Sequence, residues 1–323
     1  MRILSGVQPS GRLHLGNYFG AMKQHIEAQN EHESFIFIAN YHALTTVQDA
    51  ARLEALTRDV ALDYLALGLD PGRACLFRQS DVPGVAELAW ILSTVTGIGL
   101  LERAHSYKDK VSKGLSPTVG LFTYPLLMAA DILIYRSDLV PVGRDQVQHI
   151  EMAQDMAGYF NNTYGRPVFV RPEARLNEAA VVPGIDGQKM SKSYGNTIDI
   201  FDDPKAARKR IMSIKTDSTP VDAPKDPDQC TVMALLRLLA APDEAAEWEA
   251  RYRRPGMGYG EAKSRVADLF EQRFGPARDR RAALVRDPAR VEALLAAAGR
   301  RAREVAAQVM RDVRAACGIV TSS

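Results

Sequence analysis

The chain has 323 residues, of which 46% are hydrophobic and 25% charged, with a formal net charge of +2. These values describe an ordinary globular protein, long enough for two domains with sizeable cores. No stretch approaches the about 20 apolar residues of a membrane span, and Ile3 to Val7 is too short for the core of a signal peptide. The expectation is therefore a soluble, cytoplasmic protein with no membrane partner.

Taken in chain order, Arg2 to Val7, Ser34 to Ala39 and Ala74 to Gln79 are apolar runs of strand length. They alternate with helix-period segments at Gly16 to Gln29 and Ala50 to Leu67, the pattern of strand-helix units on a parallel sheet. Gly68 and Asp70-Pro71-Gly72 stop the second of these helices. Val85 to Ile98 and Leu121 to Tyr135 predict further helices, with Pro125 in the first turn of the latter. Beyond residue 195 no strand is predicted. Pro204 to Ile214, Thr231 to Leu239, Asp243 to Tyr252, Tyr259 to Phe274 and Pro288 to Ala316 all read as helices. The last carries Val305, Val309, Val313 and Cys317 at steps of four, with Gly318 as its C-cap. Only Asp217 to Asp228, with Pro220, Pro224 and Pro227, resembles a linker. The fold class expected is α/β, a Rossmann-like parallel sheet followed by an all-helical part.

Charge is divided unevenly between these parts. Residues 205–323 hold 23 Lys and Arg against 16 Asp and Glu, whereas residues 1–204 hold 18 against 23. A basic second part suits a polyanion such as RNA, and a solvated arginine-rich helical surface suits the same count. Cys75, Cys230 and Cys317 lie far apart without a C-x-x-C pair, so they read as free thiols, with no metal or cluster site.

Two segments carry chemistry. In Gln8-Pro9-Ser10-Gly11-Arg12-Leu13-His14-Leu15-Gly16-Asn17 a strand turns into a helix, whose N-terminal amides and partial positive charge suit a triphosphate. His14 and Asn17 share a helix face, and Gly16 lets a nucleotide approach the backbone; the same glycines also suit a tight crossover. Later, Lys189-Met190-Ser191-Lys192-Ser193 places two flexible ammonium groups behind the turn residues Pro183-Gly184-Ile185-Asp186-Gly187. Mobile lysines neutralise charge that accumulates on a departing pyrophosphate. Between them, the apolar run from Gly120 to Tyr135 carries one carboxylate, Asp131, which needs a partner if buried. A donor-only indole N–H would satisfy it, with Met128 beside the ring; so would a neighbouring element.

The first segment and the lysine loop together resemble the two signature motifs of class I aminoacyl-tRNA synthetases, written HIGH and KMSKS. With the Tyr124-Pro125 to Leu133 run and Leu139 to Glu151, the chain resembles the bacterial tryptophanyl-tRNA synthetase family of class Ic, along nearly its whole length. The resemblance implies ATP-dependent activation of L-tryptophan and its transfer to tRNA(Trp), releasing AMP and pyrophosphate. It implies a Rossmann-fold catalytic domain over residues 1–195, including a helical insertion near 100–170 that carries a homodimer interface. A helical anticodon-binding domain over 196–323 would follow, its last helix packing back on the first. Lys189, Lys192, Asn17, His14 and Lys110 form the implied catalytic set. ATP, with Mg²⁺ on its phosphates, would meet Gln8, Pro9, Ser10, Gly16, Asn17, Gly143, Arg144, Asp145, Val182, Lys189, Met190, Ser191, Lys192 and Ser193. Tryptophan would meet Asp131 through its ring nitrogen, Leu4, His42, Met128, Val140 and Val142 along its ring, and Tyr124 and Gln146 at its amino group. Arg208, Lys209 and Arg210 would meet tRNA phosphates. Two alternatives stand beside this reading: tyrosine activation on the same fold, and a non-catalytic relative that serves as a binding module.

Overall fold

The computed structural model describes residues 1–104, 114, 118–176 and 181–320. Five strands, β1 (Arg2–Val7), β2 (Glu33–Ile38), β3 (Ala74–Arg78), β4 (Leu139–Val142) and β5 (Glu173–Leu176), make one parallel sheet in the order β3-β2-β1-β4-β5. Side chains alternate across it, as a strand requires. Phe35, Phe37, Cys75 and Phe77 bury themselves on one face, and Ile36, Ile38, Ala74 and Leu76 on the other. Burial of both faces is why these strands read as continuous apolar runs. β4 and β5 escape that pattern, since each has only four residues, one includes Pro141 and the other is mostly exposed.

On the first of these faces lie α5 (Gly84–Val95), α6 (Ile98–Glu102), α7 (Val119–Leu133) and α8 (Val147–Tyr164); α1 (Leu15–Asn17), a π-helical turn (Tyr18–Met22), α2 (Lys23–Ala28) and α4 (Ala50–Ala66) cover the other. The short α3 (Asn40–Ala43) continues from β2. Three helical expectations are corrected. The helix expected over Gly16 to Gln29 contains the π turn, whose Tyr18, Phe19 and Met22 are buried. The one expected over Val85 to Ile98 ends at Val95, and Gly97 caps a separate short helix. Pro125 stands inside α7 and not in its first turn, because Thr118 caps the helix, its hydroxyl accepting the Leu121 N–H at 3.2 Å. An interior proline costs about 3 kcal/mol; burial of Leu121, Tyr124, Leu126 and Ala129 around it offsets that cost.

The second part comprises α9 (Pro204–Met212), α10 (Thr231–Leu239), α11 (Pro242–Tyr252), α12 (Tyr259–Arg286) and α13 (Pro288–Cys317). α12 runs on through Gly275-Pro276, where the sequence predicts a stop, because Phe270 and Phe274 before the proline and Ala277 after it are all buried. The valine stripe of α13 packs against the sheet: Val309 and Val313 are buried and Val305 and Cys317 half-buried in the cluster that holds Phe77, and Gly318 ends the helix at φ 71°. The Cys75 thiol lies 3.2 Å from the Ala298 carbonyl, and Arg314 pairs with Glu87 across the same contact. A second cluster joins Leu15, Val60 and Met190 to Ile211, Trp248, Phe270 and Leu295, so hydrophobic packing runs without a break past residue 195. Among the described residues the helical part has no sheet of its own, and its apolar stripes are buried against the α/β part.

Candidate active site

β1 is flanked by β2 on one side and β4 on the other, so the chain winds in opposite directions from it. The crevice beyond the carboxyl ends of such strands is where open α/β sheets bind ligands. Here β1 delivers Gln8, Pro9 and Ser10. β4 delivers Gly143 and the 3-10 turn Arg144–Gln146, which includes Asp145, and β2 delivers His42 on α3.

An apolar cavity of ≈ 360 Å³ opens at this point. Leu4, His42, Tyr124, Met128, Val140, Val142 and Gln146 all line it, with Gln8 at its rim, so seven of the eight residues expected around a side-chain slot come together. The eighth, Asp131, is 1% exposed and is not part of the wall. Its Oδ2 lies 3.0 Å from Nε2 of the wall residue His42, and the Gln79 amide nitrogen donates to both carboxylate oxygens, at 3.0 and 2.8 Å. Burial raises the Asp131 pKa, while His42 and Gln79 oppose that by stabilising the carboxylate. On the far wall the Tyr124 hydroxyl is 2.7 Å from His149 Nε2, and burial pushes its pKa up to about 12. Tyr124 therefore stays a neutral hydroxyl at every physiological pH.

The phosphate side is built differently. His14 starts α1, and its N–H donates to the Asn17 side-chain oxygen at 3.4 Å. Burial, with Lys192 nearby, lowers the His14 pKa to about 4, so the ring is neutral at pH 7, and its Nδ1 is buried without a hydrogen-bond partner. The lysine loop sits directly over this turn. Lys192 Nζ donates to the Ser10 carbonyl at 3.0 Å, and the Gly16 N–H points to the Met190 sulfur at 3.4 Å. A Cβ on Gly16 would stand 3.0 Å from the His14 ring and 3.3 Å from Met190, so any larger residue would require those side chains to shift. The space expected for a nucleotide above Gly16 is thus filled by His14 and Met190 in this conformation. Partial desolvation lowers the Lys192 pKa, against the pull of Asp199 and Asp63. Lys189 and Ser193 are exposed, the Ser191 and Ser193 hydroxyls lie 2.8 Å apart, and the Val182 carbonyl accepts the Met190 N–H at 2.9 Å. Lys110 lies outside the described residues.

Asn196 holds the loop in shape and carries no sequence signal of its own. Only 2% exposed, it donates to Asp186 at 2.8 Å and to the Lys189 carbonyl at 3.2 Å and accepts the Ser191 N–H at 2.8 Å. Gly184 packs against its side chain so closely that any Cβ there would clash. Gln79, Thr45 and His149 are likewise absent from the expected set. A polar residue at the end of an apolar run, such as Gln79, was the only available hint. In the helical part, the exposed Arg208 guanidinium donates to Asp268 and Ser264, and Arg210 to the Thr197 and Gly195 carbonyls.

A doubly wound sheet with a nucleotide-type turn at one end of its crevice and an apolar slot at the other defines an enzyme that brings a nucleotide to a small apolar substrate. The family model for tRNA synthetases class I (W and Y) matches residues 1–275, and the chain belongs to this family. It is 53% identical to the tryptophan–tRNA ligase of Rhodopirellula baltica, over 99% of this chain and 100% of that one, and 47% identical to that of Fusobacterium nucleatum, over 99% and 98%. Among solved structures, the tryptophanyl-tRNA synthetase of Campylobacter jejuni complexed with ADP and tryptophan superposes with a TM-score of 0.93, at 48% identity, covering 98% of this chain and 100% of that one.

Proposed function

We propose that the chain is a tryptophan–tRNA ligase, in which the slot takes the indole and the turn beneath the lysine loop takes ATP. The observation that carries this reading is the slot itself: a cavity at the switch point lined by Leu4, Met128, Val140 and Val142, whose wall residue His42 contacts a buried carboxylate. Leu4, Met128, Val140 and Val142 pack on the ring faces, Tyr124 and Gln146 hold the amino group, and Asp131, which in this conformation lies behind the wall residue His42, takes the ring N–H once the slot is occupied. A tyrosine hydroxyl both donates and accepts, so the same site would leave one of its capacities unmet.

The tryptophan carboxylate oxygen forms a bond to the α-phosphorus as the bond from that phosphorus to the bridging oxygen breaks, and pyrophosphate leaves with the electron pair. No enzyme nucleophile is needed, so the protein contributes alignment and charge stabilisation. Lys189 and Lys192 neutralise the departing pyrophosphate, with Lys110 and the amides after Ser10. Neutral His14 and Asn17 fix the turn, and Gly143, Arg144, Asp145 and the Val182 backbone face the nucleoside. In the second step a hydroxyl of the tRNA terminus attacks the acyl carbon, loses its proton and displaces AMP. Among the described residues no group of three or more His, Cys, Asp or Glu is placed to hold a metal. Mg²⁺ would travel on the ATP phosphates, and no step above is routed through it.

The helical part binds the tRNA anticodon, giving an affinity that falls steeply with salt. The enzyme is read as cytoplasmic and as a homodimer, the latter supported by Trp90, Ile98 and Val119, exposed apolar residues on α5, α6 and α7; sedimentation of a monomer at working concentration would refute the dimer. ATP–pyrophosphate exchange tests the central claim. Exchange driven by tryptophan is expected; faster exchange with tyrosine, or none with any amino acid, would overturn it.

A further inference from the structure

Gln79 is wholly buried at the end of β3, outside the slot wall, and every polar atom of its side chain is used. Its carbonyl oxygen accepts two backbone N–H groups, from Tyr41 at 2.9 Å and His42 at 3.3 Å. Those donors cannot be exchanged for acceptors, so the amide orientation is fixed by the backbone. Its NH₂ must therefore face Asp131, where it donates to both carboxylate oxygens. One side chain thus anchors the start of α3, which carries His42, and the carboxylate that His42 contacts. Behind it, Asn40 and Ser80 exchange a reciprocal pair of hydrogen bonds, at 2.7 and 3.1 Å, which clamps α3 to the same end of β3.

We infer that Gln79 is a specificity-determining positioning residue: its fixed amide holds Asp131 as an ionised acceptor directly behind the slot residue His42, so that selection for a ring N–H depends on a residue that never touches the amino acid. This inference rests on the reading of the slot as an indole site. A buried amide that donates to both oxygens of one carboxylate favours its ionised, accepting form. It also leaves Asp131 no freedom to rotate toward another partner.

Two variants separate this role from simple packing. Gln79→Glu keeps an oxygen for the Tyr41 and His42 amides but sets a second carboxyl against Asp131, so that the two share a proton and Asp131 is no longer held as a fixed ionised acceptor; Gln79→Met removes both functions at similar volume. The readout is ATP–pyrophosphate exchange with tryptophan and with β-(3-benzothienyl)alanine, in which sulfur replaces the ring N–H. The parent enzyme prefers tryptophan, and in Gln79→Glu the ratio of the two kcat/KM values falls about tenfold toward unity, on the scale of an unmade polar contact in a selective site. The loss appears in KM for tryptophan, with kcat and KM for ATP within about threefold of the parent. Gln79→Met loses the same selectivity; if it does not fold, Gln79→Glu alone decides. An unchanged ratio in a folded Gln79→Glu enzyme overturns the inference while leaving the tryptophan assignment intact. A parent enzyme that does not exchange with tryptophan, or that does not distinguish the two amino acids, removes the assignment on which the inference stands.

Discussion

The two ends of the crevice are built on opposite principles. The slot is walled by residues fixed on three strands and α7, with a carboxylate whose partners are all in place before any ligand arrives. The phosphate end is made of exposed lysines on a loop held by hydrogen bonds, three of them through the Asn196 side chain. Discrimination between amino acids needs walls that do not yield, since any slack admits the wrong ring. Stabilising charge that exists only in the transition state needs donors that reach where the charge appears, and flexible ammonium groups do so. The comparison predicts that damage at one end shows in kcat and damage at the other in KM for the amino acid.

Lys192→Ala sharpens that contrast most. It is expected to lower the rate of adenylate formation by about 10² or more, the scale of a lost transition-state donor, with a smaller change in ATP affinity, as read by single-turnover kinetics. Equal losses in both would mean that Lys192 serves ground-state binding. Asp131→Ala comes next, with KM for tryptophan raised by about 10- to 100-fold and KM for ATP within about twofold. An unchanged tryptophan KM would refute the role given to this carboxylate.

A smaller effect comes from pH. His25 is buried beneath the phosphate end, 2.7 Å from the Tyr64 hydroxyl, and burial lowers its pKa to about 4. The unfolded chain takes up a proton near 6.5 that the folded chain refuses, so this group costs stability as pH falls from 6.5 toward 4 and nothing above 6.5. His14 acts in the same direction, whereas Asp63, raised to about 6 by burial despite Arg281, opposes it: stability from that group falls as pH rises from 3.8 to 6. Replacing His25 with Gln should lessen the stability lost between pH 7 and 5 by about 2 kcal/mol, seen in denaturant melts at the two pH values. A loss as large as the parent's would mean that His25 is protonated in the folded state.

Much of this was legible before any coordinates. Both signature loops, the three long strands and the valine stripe of α13 follow from apolar periodicity and from motifs that are contiguous in sequence, and the seven slot residues from the family resemblance those motifs carry. What escaped was fixed by tertiary contact. Burial carries α12 through Gly275-Pro276 and α7 through Pro125, although local chemistry argues for a stop. The polar residues that shape the site, Gln79 and Asn196, are single amides among apolar or turn residues. Their importance lies in partners 52 positions away for Gln79 and Asp131, and in three backbone or side-chain atoms of one loop for Asn196. No spacing rule reveals such a contact. The partners of the basic residues were equally hidden: Arg208 and Arg210 count as positive charge in the sequence, and the fold sets Arg208 beside Asp268 and Arg210 on the Thr197 carbonyl.

The smallest expected effect tests how isolated the slot is from the helical part. Arg78, at the end of β3 and next to Gln79, is gripped by Asp81 and by both oxygens of Glu292 on α13, at 2.9 and 2.7 Å. The Glu292 side chain is 60% exposed, so water and salt screen the pair, and Glu292→Gln should cost no more than about 1 kcal/mol, less at high ionic strength. Attachment of α13 rests on Val309 and Val313, which the substitution leaves alone. If Gln79 is fixed by its own backbone donors, loosening Arg78 one residue away leaves KM for tryptophan unchanged. A severalfold rise in that KM without a matching loss of stability would show that the last helix tunes the slot through β3, and would break the division between a rigid specificity end and a mobile phosphate end.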